Sequence, residues 1–147
     1  MMRALLVVVM LVSMASPAQA TQFQKDALII PMDTTYQDHG MLKAYGLLYT
    51  LLKANVPVHW VIKAKKKVVD ADFIASAVDL KTKATISKHG YRGGPFVIDA
   101  GHATKAKSLI VAWQKKHTTT VHVATAGFKG RTGRLLTAAP TIAVIAD

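Results

Sequence analysis

The chain has 147 residues, with 19 Lys and Arg against 8 acidic residues and a formal net charge of +11. Every acidic residue is Asp, and there is no Glu and no Cys. The absence of Cys excludes disulfides, zinc thiolate sites and thiol nucleophiles. The excess of positive charge favours anionic partners, whether nucleic acid, anionic lipid or an acidic surface polymer. The alternative is a basic surface that only confers solubility, which the scattered lysines and the predominance of Lys over Arg favour.

The first twenty residues have the pattern of a secretory signal peptide. A cationic start at Arg3 precedes an apolar run over residues 4–12, and small residues follow at Ala18 and Ala20. The run is shorter than the roughly 20 residues that a membrane span needs. We therefore predict cleavage after Ala20, a secreted or periplasmic protein, and no later transmembrane segment. Residues 21–147 suffice for a single domain.

The first half of this domain predicts a strand, a loop, a helix and a second strand. The strands are expected at residues 27–31 and 57–62, and the helix at 41–54, with Asp38 as a plausible N-cap. The helix is expected to bury five apolar residues between its polar positions, namely Leu42, Tyr45, Leu48, Tyr49 and Leu52. Two strands joined by such a helix predict a right-handed parallel crossover.

In the second half, the apolar periodicity predicts five further strands and two helices. The strands are expected at residues 73–80, 84–87, 96–98, 121–125 and 142–146. A long helix is expected near residues 102–117 and a short one near 132–138, after a basic glycine-rich loop at 126–134.

These elements together predict an α/β fold with an open, mostly parallel sheet, flanking helices and a short antiparallel hairpin insertion. The chain stops one residue after the last predicted strand, which would leave apolar surface without a covering helix. We therefore expect the N-terminal part of a larger protein, and the competing interpretation is an edge strand that needs no cover.

In a parallel sheet, ligands bind beyond the carboxyl ends of the strands. Asp33, Asp99 and Asp147 each follow a predicted strand, so they could converge on one rim, although each could also be a simple cap or terminus. We expect no metal and no cofactor. The candidate ligand-binding residues are Asp33, His39, Tyr91, Arg92 and Asp99.

Two glycine-rich stretches carry the most distinctive side chains. HGYRGGPF, residues 89–96, places Tyr91 and Arg92 where they could stack on a ligand or bind a carboxylate or phosphate. The alternative is that Gly93 and Gly94, which can take backbone angles closed to other residues, shape a tight approach to the next strand while Tyr91 packs beneath it. GFKGRTGR, residues 127–134, matches no known phosphate-binding motif. Its candidate anion-binding residues are Lys129, Arg131 and Arg134, and a basic surface turn is the alternative.

Quoted in order, the stretches PMD, GLLYTLLKANVPVHWVI, YRGGPFVIDA and APTIAVIAD resemble the opening part of uncharacterised secreted bacterial proteins. The resemblance implies the flavodoxin-like sheet of class I glutamine amidotransferases. Those enzymes use a Cys, His and Glu triad. This chain has neither Cys nor Glu, so the resemblance concerns architecture alone.

We therefore expect an exported, noncatalytic domain that binds a ligand or a partner, such as the remainder of a longer polypeptide. One alternative is a hydrolase-type enzyme whose acid and base are among Asp33, Asp99, His39 and His89. Another is a basic module that binds an anionic surface polymer through residues 63–67 and 129–134.

Overall fold

A computed structural model describes residues 20–37 and 40–141. In this part of the chain there are nine strands: β1 (Thr21–Phe23), β2 (Leu28–Ile30), β3 (Val58–Val61), β4 (Phe73–Asp79), β5 (Thr85–Tyr91), β6 (Phe96–Ile98), β7 (His122–Ala124), β8 (Phe128–Gly130) and β9 (Thr132–Leu136). The α-helices there are α1 (Thr34–Gln37), α2 (Met41–Lys53) and α3 (Ala103–Gln114), the last preceded by a 3-10 turn at Ala100–His102. No helix in these ranges is long and apolar enough to cross a membrane.

Seven strands form one sheet in the order β5-β4-β7-β2-β6-β3-β9, and β1 pairs with β8 in a separate two-stranded ribbon. Every neighbouring pair is antiparallel. The predicted open, mostly parallel α/β sheet is therefore wrong. The predicted antiparallel hairpin is confirmed as β4 and β5, with a second strand longer than expected.

The sheet is antiparallel because an oppositely directed strand lies between each pair of strands that a helix joins. Strands β2 and β3 do run parallel and are joined by α2, as the periodicity predicts, but β6 lies between them in the opposite direction. In the same way, β2 separates the parallel strands β6 and β7, which α3 joins. Two interlocked split β-α-β units result, the connectivity of the ferredoxin-like arrangement. A parallel crossover fixes strand direction but leaves open which strand fills the gap.

The central strands are buried on both faces of the sheet. One face packs against α2 and α3 and includes Leu28, Ile30 and Ile98, whereas the other includes Ile29 and Val97. The ribbon of β1 and β8 covers this second face, because Phe23 and Phe128 belong to the same cluster. The molecule therefore has three layers, with the sheet between the helices and the ribbon.

Helix α2 is rotated relative to the prediction. Leu48 and Leu52 are buried as expected, but Leu42, Tyr45 and Tyr49 are exposed. Their places in the core are taken by Ala44, Leu47 and Leu51. Gly46 faces α3 so closely that an added Cβ would lie 2.7 Å from Cη2 of Trp113. The missing side chain at Gly46 thus allows the two helices to pack, and this contact sets the rotation of α2.

The expected glycine-rich loop and short helix at residues 126–138 are also wrong, since β8 and β9 occupy this region. An added Cβ at Gly130 would lie 2.7 Å from Val61, and one at Gly133 would lie 2.6 Å from Ile62. The glycines therefore permit close approach between strands. The signal peptide apart from Ala20 lies outside the described residues, as do Asp38 and the strand predicted at residues 142–146.

Candidate functional site

Asp33 and Asp99, the two described carboxylates of the predicted rim, do not converge, because the strands that they follow run in opposite directions. Asp33 follows β2 and Asp99 follows β6, and Leu28 at the start of β2 pairs with Ile98 at the end of β6. The two residues therefore follow opposite ends of this central strand pair. His39 and Asp147 lie outside the described residues. Among those that are described, no group of three or more His or acidic residues is arranged to hold a metal ion.

The HGYRGGPF stretch is divided between the core and the surface. Tyr91 is the last residue of β5 and is fully buried, whereas Arg92 is exposed. Gly93 and Gly94 have φ angles of 77° and 71°, the left-handed region that favours glycine. The expectation that these glycines supply unusual backbone angles is confirmed. Tyr91 and Arg92 do not form one exposed ligand site.

A group of aromatic and ionisable side chains, which we call the tyrosine–histidine cluster, lies on the face of the sheet opposite α2 and α3. It consists of Asp33, Tyr36, Asp79, His89, Tyr91 and His122. Asp33 Oδ2 lies 3.1 Å from His89 Nε2, and Tyr36 packs edge-on against the rings of both histidines. Ala75 and Ala77 are buried on β4. Because these residues are small, side chains from β5 can reach over β4 to β7.

The centre of the cluster is the hydrogen bond between Tyr91 Oη and His122 Nδ1, at 2.8 Å. Burial raises the pKa of Tyr91 well above its ordinary value, and the nearby Tyr36 and Asp33 raise it further. Burial also lowers the pKa of His122 to about 4, although Asp79 opposes this shift. At neutral pH the phenol is therefore protonated, and it donates to a neutral imidazole. His122 Nε2 has no hydrogen-bond partner among the described residues and lies 4.0 Å from Asp79 Oδ2.

A second chain of hydrogen bonds runs from Asp99 to the start of the ribbon. Asp99 Oδ2 lies 2.8 Å from His59 Nε2, and His59 Nδ1 lies 3.1 Å from the Thr132 hydroxyl. That hydroxyl lies 2.8 Å from the Thr21 hydroxyl. With a neutral ring, Nε2–H donates to Asp99, Thr132 donates to Nδ1, and Thr21 donates to Thr132. The order carboxylate, imidazole and hydroxyl resembles a nucleophile triad, but the hydroxyl of Thr132 is already engaged on both sides.

The two basic segments of the sequence, residues 63–67 and 129–134, both contribute to one surface cavity, which we call the basic cavity. It has a volume of about 370 Å³ and is lined by Ala20, Lys63, Asp72, Lys129, Gly130 and Arg131. Lys129 points outward from β8, and Arg131 lies where the chain passes from the ribbon to β9. The Ile62 N–H donates to the Arg131 carbonyl at 3.0 Å, which holds Lys63 beside Arg131.

Asp72, the one carboxylate in the wall of the basic cavity, is already fully engaged. It is buried, and its oxygens accept the backbone N–H groups of Lys63 at 2.8 Å and Gly94 at 3.0 Å. Lys66 Nζ lies 2.8 Å from Asp72 Oδ2. None of the ion pairs in the described part of the chain includes Lys63, Lys129 or Arg131. The cavity therefore presents three exposed cations that have no ion-pair partner among the described residues.

Two of the three predicted anion-binding residues, Lys129 and Arg131, line the cavity. Arg134 is opposite Trp60 in the pairing of β9 with β3 and is not part of the lining. The sequence reasoning overlooked His59, Asp72, Thr132 and His122. His59, Thr132 and His122 contact residues distant in sequence, so only the strand order brings their partners together, whereas Asp72 also contacts Lys63 and Lys66 in its own connecting segment.

Comparison with protein-family models, with curated proteins and with solved structures found no match to this chain. The expected resemblance to secreted bacterial proteins with an amidotransferase-like sheet has no support from these comparisons, and the antiparallel sheet contradicts the fold that it implied.

Proposed function

We propose that this chain is an exported, noncatalytic binding domain that holds an anionic surface polymer in the basic cavity. The observation that carries the proposal is the convergence of two basic segments that are about sixty residues apart in the sequence. Lys63 follows β3, whereas Lys129 and Arg131 flank Gly130 at the end of β8, and all three line one cavity. Scattered lysines that serve only solubility have no need to converge in this way.

The composition favours a polymeric ligand that makes many weak charge contacts with the protein. The net charge of the whole chain is strongly positive, and this draws a polyanion toward the surface from a distance. Two of the three cavity cations are Lys, which attracts anions as a point charge, and the single Arg131 can form a forked contact. All three are exposed, so each contact is screened by salt.

The enzyme alternative has one favourable distance, that between Asp33 and His89. However, the side chains of these residues are only 8% and 16% exposed. The rings of Tyr36 and Tyr91 pack edge-on against His89, with centroids 4.8 Å from it in both cases. A general acid or base must approach the reacting group of its substrate within hydrogen-bond distance. The pair is enclosed by its neighbours, which favours a structural role.

The test compares two triple variants that remove the same number of positive charges. Lys63→Ala/Lys129→Ala/Arg131→Ala removes the three cationic side chains that line the basic cavity. Lys43→Ala/Lys53→Ala/Lys105→Ala is the control, because these exposed lysines belong to α2 and α3 on the other side of the sheet. Affinity for a heparin oligosaccharide is measured by titration calorimetry at several salt concentrations.

We expect the cavity variant to bind at least about tenfold more weakly than the unmodified protein, with a shallower salt dependence. The control variant should change the affinity much less. Equal losses in the two variants would show that only net charge matters, and the proposal would then be wrong.

A further inference from the structure

The residue before the predicted cleavage site forms part of the wall of the basic cavity. Ala20 lines the cavity together with Lys63, Lys129 and Arg131. Thr21, the next residue, pairs with Gly130, which lies between Lys129 and Arg131 in the sequence. Cleavage after Ala20 would leave the new α-amino group of Thr21 directly at this wall.

Thr21 is held in place by its side chain as well as by the ribbon. Its hydroxyl lies 2.8 Å from that of Thr132, which is bound through His59 to Asp99. Gln22 adds a side-chain hydrogen bond to the carbonyl of Phe128 at 3.1 Å. These side-chain contacts join β1 to β8, β9 and β3 in addition to the backbone pairing of Thr21 with Gly130. The start of the processed chain would therefore be fixed beside the cavity.

We propose that removal of the leader completes the basic cavity, and that the α-ammonium group of Thr21 binds the anionic partner as a fourth cation. This inference rests on the proposed function and on the predicted cleavage after Ala20. An α-ammonium group offers three N–H donors on a short, fixed stem, in contrast to the long flexible side chains of Lys63 and Lys129. The ordinary pKa of a free α-amino group is about 8, so most of this group carries its charge at neutral pH.

The proposal distinguishes the precursor from the processed protein. In the precursor, the nitrogen of Thr21 is an uncharged amide, and the cavity has three cations. In the processed chain it has four, and the additional one loses little conformational entropy on binding because β1 already holds it. The processed protein should bind a polyanion more tightly than any form in which this amine is blocked or displaced.

The experiment uses three forms of the chain from residue 21 to its end. The first begins at Thr21 with a free amine, and the second is the same chain acetylated at Thr21. The third carries Ser-Gly-Ala before Thr21, so it has the net charge of the first but its amine lies three residues away. Affinity for a heparin oligosaccharide is measured at low salt, and mass spectrometry of the exported protein establishes its natural N-terminus.

We expect the free Thr21 form to bind about fivefold more tightly than the other two forms. Equal binding by the free and acetylated forms would overturn this inference and leave the proposed function standing. Tight binding by the extended form would also overturn it, because net charge alone would then account for the gain. If no form binds, or if the variant lacking Lys63, Lys129 and Arg131 binds as well as the unmodified protein, the proposed function fails as well. An exported protein that begins at another residue would overturn the inference directly.

Discussion

The tyrosine–histidine cluster and the basic cavity lie in the same domain and differ in how their charges and polar groups are satisfied. In the cluster, Tyr91 and His122 are completely buried and bonded to each other, and Asp33 is paired with His89. In the cavity, Lys63, Lys129 and Arg131 are exposed, and the nearby carboxylate is already engaged with Lys66. The group that resembles an active site is closed, whereas the simpler group of cations is open. Access and uncompensated charge, more than the type of residue, therefore indicate where a partner binds.

The largest expected effect is the loss of Tyr91. Tyr91→Ala should lower the free energy of unfolding by about 3–5 kcal/mol, because it leaves a cavity next to His122 and Phe73. Tyr91→Phe should cost less, about 1–3 kcal/mol, since it removes only the hydroxyl that His122 binds. Urea denaturation at neutral pH measures both values. A Tyr91→Phe protein of normal stability but impaired heparin binding would place the cluster in the binding site, against this account.

The next effect is a dependence of stability on pH that originates in the cluster. His122 binds a proton near its ordinary pKa of 6.5 when the chain is unfolded but only near pH 4 in the fold. Between these values the unfolded state takes up more protons, so stability decreases as the pH falls. The contribution lost should be on the order of 3 kcal/mol.

Urea denaturation at a series of pH values, compared with His122→Gln, isolates this contribution. The variant should be less stable at neutral pH and should show a smaller decrease between pH 6.5 and 4. The same decrease in both proteins would show that His122 is not responsible.

Substitution of Asp72 should lower the stability of the fold but strengthen binding in the basic cavity. Asp72→Asn should cost about 1–3 kcal/mol, because Lys66 loses its buried partner and the amide cannot reproduce both backbone hydrogen bonds. It also removes a negative charge from the wall of the basic cavity, so the folded protein should bind heparin severalfold more tightly. Calorimetry and urea denaturation on the same sample test both expectations. Weaker binding by a protein that is still folded would contradict the position assigned to the partner.

The smallest effect is expected at the exposed end of the chain of hydrogen bonds that holds Thr21. The Asp99 side chain is 44% exposed, so Asp99→Asn should cost less than about 1 kcal/mol even though the contact with His59 is short. Thermal unfolding provides the measurement. A much larger loss would show that this chain of hydrogen bonds contributes more to folding than the exposure of Asp99 indicates.

The two long helices and six of the nine described strands could be predicted from the sequence because each depends on local periodicity, whereas α1, β1, β8 and β9 were not predicted. The predicted strand at residues 96–98 coincides with β6, and the two long helices agree within a few residues. Strand order could not be predicted, because a connecting helix specifies direction without specifying the neighbour. The rotation of α2 was also inaccessible, since it depends on the contact of Gly46 with Trp113, a residue 67 positions later in the chain.

The residues of the basic cavity could likewise be predicted only in part. Lys129 and Arg131 could be found from local charge, and the charge run after β3 includes Lys63. That these segments meet depends on the backbone hydrogen bond between Ile62 and Arg131, which no local pattern indicates. The glycines at residues 127–134 were misleading because a loop and a close strand crossing both favour glycine.

The most direct test of the basic cavity maps the bound partner by NMR. A heparin oligosaccharide is titrated into ¹⁵N-labelled protein, and the shifts of the backbone amides are followed. The account predicts that the amides of Lys63, Lys129, Gly130 and Arg131 shift first and together, while those of α2 and α3 remain nearly unchanged. Early shifts concentrated on the helices, or around His89 and His122, would contradict it.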